Sequence, residues 1–190
     1  ITYSGDVYLE ATTPGQTISL NGNILNCNVI AEGNGGGWEL TDDFRSMQNF
    51  TLDRGSLITN GHFFQAVGFS ANTAHPRTLL LGNSAFSLES WDLNAENLLL
   101  EASETYFQIS GSMHIKNGER LIFNDVFFTE LGGGLSAESN RVVFHTVDFI
   151  AGQASGDFTI DTLRFAEQGS ISGNDSIRYL QFDGFGMVRP

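Results

Sequence analysis

One short pattern returns along this chain in steps of a common unit, and that recurrence constrains the fold more than any single residue does. Phe64-Gln65-Ala66-Val67-Gly68-Phe69, Phe123-Asn124-Asp125-Val126-Phe127-Phe128 and Phe144-His145-Thr146-Val147-Asp148-Phe149 all read F-x-x-V-x-F, and Phe182-Asp183-Gly184-Phe185 is a truncated fourth copy. Their first residues lie 59, 21 and 38 positions apart. These intervals are close to three, one and two units of about 20 residues, within the range of solenoid repeats. A unit that short buries its apolar face only by stacking on a neighbour.

Apolar anchors fill the intermediate positions: Ile24-Leu25, Phe44, Phe64, Leu81, Leu100, Phe123, Phe144, Phe165 and Phe182. Several end a short apolar run, as in Leu79-Leu80-Leu81, Leu98-Leu99-Leu100, Leu121-Ile122-Phe123 and Val142-Val143-Phe144. Arg77, Arg120 and Arg141 recur just before such runs and read as strand-flanking surface residues. Between the runs lie Asn34-Gly35-Gly36-Gly37, Asn60-Gly61, Asn117-Gly118, Gly132-Gly133-Gly134 and Gly173-Asn174-Asp175, which read as corners. No window holds a helical apolar period for three turns, whereas period-2 segments such as Tyr106-Phe107-Gln108-Ile109 recur.

The chain is therefore expected to be all-β: a right-handed parallel β-helix of about nine coils, with a β-sandwich as the runner-up. Residues 1–190 read as a single domain. In this phase Phe123, Phe144, Phe165 and Phe182 form one internal ladder, each ring contributing roughly 1.5–3 kcal/mol by burial. Neither end carries a capping element, and the chain opens Ile1-Thr2-Tyr3-Ser4 without Met. The expectation is a segment of a longer protein.

Composition narrows the partners. With 22 acidic against 9 basic residues, a net charge of −13 and no basic run, the chain lacks the footprint that phosphate backbones select. Nucleic acid and insertion into a membrane are not expected, the latter because apolar runs stop after a few residues where a spanning helix needs about 20. The single Cys27, alternating with Leu25 and Val29, reads as an inward core thiol.

At Arg77-Thr78-Leu79-Leu80-Leu81-Gly82-Asn83-Ser84, followed by Phe86, Trp91 and Asn97-Leu98-Leu99-Leu100, the pattern becomes more particular. With Phe107-Gln108-Ile109-Ser110-Gly111 and the 121–128 strand, it resembles the β-helix repeat of large secreted Bacteroidetes surface proteins over about residues 77–150. The resemblance implies an extracellular, cell-surface location, export by the type IX route, and an adhesive or gliding-associated role. It brings no catalytic residues.

Parallel β-helices also host polysaccharide lyases and glycoside hydrolases, and a glycosidase needs two carboxylates about 5–10 Å apart. The available pairs are Asp42 with Asp43, Asp157 with Asp161, and Asp125 with Asp148, the last in adjacent coils. Asp125 stands two positions after Phe123 and Asp148 four after Phe144, an offset that places them on different parts of the coil. Acidic corners are the plainer reading of all three pairs. Lys116, the one lysine, sits at an Asn-Gly turn and suits no lyase base.

His62, His75, His114 and His145 lack ligand spacing, and His145 reads as a stacked polar position. Calcium is the metal that plentiful oxygen ligands favour, although neither an EF-hand loop nor a calcium-binding nonapeptide occurs. No T-x-T ladder supports ice binding. Trp38 and Trp91 suit sugar stacking in principle, but Trp91 alternates with core positions.

No catalytic, cofactor-binding or metal-binding residue is therefore assigned. The expected function is a non-catalytic extracellular module, a rigid stalk or adhesin contacting polysaccharide or other surfaces and further repeats of its own chain. A carbohydrate-active β-helix enzyme is the alternative, and a spacer without ligand is the third reading.

Overall fold

Alternating inward apolar and outward polar residues, interrupted every few positions by Asn, Gly, Ser or Asp, leave this chain short strands separated by sharp corners. The computed structural model describes residues 5–116 and 120–189, and every helix or strand among them is a strand. The expected corner at Asn117-Gly118 lies outside the described residues.

The strands pair in parallel, and successive coils stack into a β-solenoid of about nine turns. Three faces recur. The first is built from Gln16–Ile18, Gly37–Leu40, Gly55–Ile58, Arg77–Leu80 and residues 98–101. Phe44–Arg45, Phe64–Gln65 and residues 85–88, 106–109 and 125–128 form the second. On the third lie Val7–Leu9, Val29–Ala31, Phe50–Leu52, Gly68–Ala71 and residues 90–94, 112–115 and 134–137. Residues 152–156, Gly169–Gly173 and Gly186–Arg189 close the sequence of parallel pairs at the C-terminal end.

The coils shorten along the chain. On the third face Val7 pairs with Val29 and Trp91 with Met113, the same long step twice. Ala154 pairs with Ile171 and Ile171 with Val188, a step shorter by five positions. The long strand Leu121–Phe165 runs through corners, its pairing with the preceding coil shifting register between Phe123 and Asp125 and between Phe128 and Gly134, and Ser176–Phe182 pairs with its last segment.

Corners are made where backbone sterics allow. Asn21-Gly22 and Asn60-Gly61 carry φ values of 50° and 76°, and 52° and 78°. Asn23 N–H donates to Leu20 O and His62 N–H to Thr59 O, closing tight turns with both central residues left-handed. The side chain of Asn60 donates to Leu40 O in the coil below, so these corners stack as well as turn.

Aromatic columns fill the interior. Phe44, Phe64, Phe86 and Phe107 stack with centroids 4.6, 4.9 and 5.3 Å apart. Beside them Phe50, Phe69 and Trp91 stack at 5.5 and 4.5 Å, meeting the first column edge-on. Trp91 is fully buried and Trp38 nearly so, which makes both core residues. Cys27 is buried as expected, and burial pushes its thiol pKa up.

Two expectations are corrected. Phe107 pairs with Val126 and Ala102 with Phe123, so the column through Phe64 leads to Val126 and not to Phe123. The copy at 64–69 therefore shares its letters, not its phase, with the copies at 123 and 144. Nor do Phe123, Phe144, Phe165 and Phe182 form one ladder. Phe123 stacks on Phe144, whereas Phe165 stacks on Phe149 and then on Phe182. The physical reason is the shorter coil: Ala166 N–H donates to Phe149 O, and the step from Phe149 to Phe165 falls five positions short of the step from Phe123 to Phe144.

Arg77 is a third correction. Its residue is only 2% exposed, not a surface flank. The guanidinium donates to the carbonyls of His75, Ala71, Asn94 and Glu96, tying the ends of two strands to the corners that follow them. Burial lowers its pKa, opposed by the charges of Asp53 and Glu96. Arg120 and Arg141 are exposed.

Candidate functional site

The outward residues of the second face form straight columns, because each coil lies about 4.8 Å above the last. Tyr106 pairs with Asp125, and Gln108 with Phe127. The stacks Phe123 on Phe144 and Phe128 on Phe149 carry this register up one coil, placing Thr146 over Asp125 and Asp148 over Phe127. The shorter next step, Phe149 to Phe165, then sets Thr162 over Thr146 and Arg164 over Asp148. Thr162 pairs with Tyr179 and Arg164 with Gln181.

Two adjacent columns result: Tyr106, Asp125, Thr146, Thr162 and Tyr179, beside Gln108, Phe127, Asp148, Arg164 and Gln181. Tyr106 is 38% exposed and Tyr179 is 55% exposed, so a tyrosine stands at each end of the strip. Four coil spacings separate them, about 19 Å.

A groove of about 430 Å³ opens in this strip between Tyr106, Asp125, Phe127, Thr146, Asp148 and Arg164. Arg164 approaches both oxygens of Asp148, at 3.4 and 3.3 Å. Burial raises the pKa of Asp148 and the charge of Asp125 adds to it, while Arg164 opposes both. Alongside, His145 Nδ1 lies 3.0 Å from Asp161, so His145 is a polar position facing a carboxylate in the next coil.

The structure thus brings together the pair that sequence offsets kept apart. Outward residues two apart on a strand are neighbours, and Asp148 lies one coil up and one outward position along from Asp125. The other pairs are used locally. Asp42 accepts hydrogen bonds from the backbone of Leu20 and Asn21 and from Ser19, and the Leu20 bond leads in lowering its pKa. Asp43 accepts from Phe63 N–H. Asp161 faces His145, and Asp157 acts on Asp175, whose pKa burial raises to about 6 with help from the Asp157 charge.

Among the described residues no three His, Cys, Asp or Glu side chains gather as a metal site. No helix among them is long and apolar enough to cross a membrane. A larger groove of about 760 Å³ follows the corner through Pro14, Gly35, Gly55, Pro76, Asn97 and Arg120, but among the described residues neither a carboxylate nor an aromatic ring lines it. No protein-family model, curated protein or solved structure matches the chain.

Proposed function

We propose that this chain is a rigid extracellular module that holds a polysaccharide-contacting face away from its point of attachment, without chemical turnover. The observation that carries the reading is the pair of interior aromatic columns, Phe44 to Phe107 and Phe50 to Trp91. They tie successive coils together by face-to-face packing worth roughly 0.5–1.5 kcal/mol per pair beyond area burial. Continuous parallel pairing on the faces around them adds stiffness along the axis. An acidic chain with outward Tyr, Thr, Asn and Asp suits contact with hydroxyl-rich surfaces. The strand text of residues 77–150, which resembles secreted surface repeats, supports the extracellular, cell-surface placement.

A second reading is favoured by one observation. Asp125 and Asp148 share a groove, and burial raises the pKa of Asp148 against the opposing Arg164, with a smaller push from the Asp125 charge. That is the pattern of a glycosidase acid beside its partner carboxylate. Incubating the purified protein with neutral and acidic polysaccharides, with and without calcium, separates the two. Retention without new reducing ends is expected. New reducing ends that disappear in Asp148→Asn would replace the adhesin reading by the enzyme.

A further inference from the structure

The contents of the strip select among glycans. An aromatic ring with one exposed face takes the C–H face of a pyranose, and carboxylates and hydroxyls beside it take the hydroxyl hydrogens. The strip offers Tyr106 and Tyr179 as platforms, with Asp125, Thr146, Asp148 and Thr162 between them. Within the two columns the cation is Arg164, which is already committed to Asp148, and exposed Arg178 flanks Tyr179 at the far end.

A polyuronate would set its own carboxylates against Asp125 on a chain of net charge −13, where the guanidinium in the groove, Arg164, is held by Asp148. A neutral sugar meets no such penalty and donates to both carboxylates. The straight run of outward columns, about 19 Å from tyrosine to tyrosine, matches an extended oligomer and not a single monosaccharide.

Building on the proposed polysaccharide contact, we infer that the strip from Tyr106 to Tyr179 is a binding site for an extended, uncharged oligosaccharide, with the two tyrosines as terminal stacking platforms and Asp125 and Asp148 as hydroxyl acceptors. Both tyrosines are exposed, so truncating them removes no core packing.

Calorimetric titration of the whole chain with cellohexaose, mannohexaose, xylohexaose and hexagalacturonate tests it, together with Tyr106→Ala, Tyr179→Ala and Asp148→Asn. The expected result is binding of at least one neutral hexaose, little change with added salt, and about tenfold weaker binding for each tyrosine variant, the scale of one lost stacking contact. Unfolding temperatures of the tyrosine variants should match the parent, which separates loss of a platform from loss of fold. Neutral binding untouched by both tyrosine variants would overturn the strip as the site while leaving the adhesin reading in place. Preference for hexagalacturonate would overturn the ligand class. Absence of binding to every hexaose, with no polysaccharide retained either, would remove the inference and the polysaccharide contact beneath it.

Discussion

Phe165 stacks face to face on Phe149, centroids 5.0 Å apart and planes 11° apart, and not on Phe144. The contact marks where the solenoid changes coil length, and it carries the column on to Phe182. It also sets Arg164 beside Asp148 and Thr162 over Thr146, so the outward strip depends on an inward register.

Truncating that contact should therefore be costly. Phe165→Ala deletes a fully buried ring packed between two others and is expected to destabilise by about 3–5 kcal/mol. Chemical denaturation of the variant and the parent measures it. A cost under about 1 kcal/mol would mean that the column is not formed.

Trp91 presents a different balance. Its ring is fully buried between Phe69 and the Phe86 to Phe107 column, yet its indole N–H reaches no acceptor. Trp91→Phe gives up some packing but removes an unpaired donor, so it should fall within about 1 kcal/mol of the parent. Trp91→Ala, leaving a cavity, should cost about 3–5 kcal/mol. Unfolding temperatures of the two variants check the contrast.

Arg77 clamps four carbonyls around one corner. Arg77→Met keeps much of the side-chain volume and removes all four charge-assisted bonds, an expected loss of about 3 kcal/mol. Arg77→Lys should recover less than half of it, because one ammonium does not span the fork that the guanidinium fills. Equal stability of the Lys variant and the parent would contradict the clamp.

Asp175 gives the pH dependence a sign. Its folded pKa is raised to about 6, by burial first and by Asp157 second, and the Phe158 backbone opposes the shift without closing a hydrogen bond. A raised acid favours the folded state where it is protonated. The contribution is thus fully present below the unfolded value near pH 4 and is lost as pH rises through about 6. Asp175→Asn should flatten that part of the stability profile. At pH 8 it should be more stable than the parent by about 1 kcal/mol, a figure reduced because the residue keeps part of its surface in solvent. Melting curves between pH 4 and 8 read the difference.

The architecture is legible in the sequence because period-2 alternation and Asn-Gly corners act locally, and the anchors recur at a nearly even spacing whatever their exact phase. The columns are less legible. F-x-x-V-x-F presents more than one inward position, so Phe64 and Phe123 match as letters while lying on different parts of the coil. The coil then contracts, from the Trp91-to-Met113 step to the shorter Ala154-to-Ile171 step, which moves Phe165 into the Phe149 column.

Arg77 escapes the sequence because a charged residue before a strand ordinarily faces water, and only the folded corner supplies its four carbonyls. Asp125 and Asp148 stand apart in the sequence for want of geometry. Two positions along a strand make one outward step, and the next coil is only about 4.8 Å away.

The register that builds the strip is best tested by paired cysteines. Neighbouring residues in parallel strands lie within the Cα separation of about 4.4–6.8 Å that a disulfide spans. Thr146→Cys with Thr162→Cys, in a chain whose native Cys27 is buried, should cross-link on mild oxidation, and Thr146→Cys with Glu167→Cys should not. The reverse outcome would mean that coils keep the longer step beyond residue 144, and neither Arg164 nor Tyr179 would then stand in the strip.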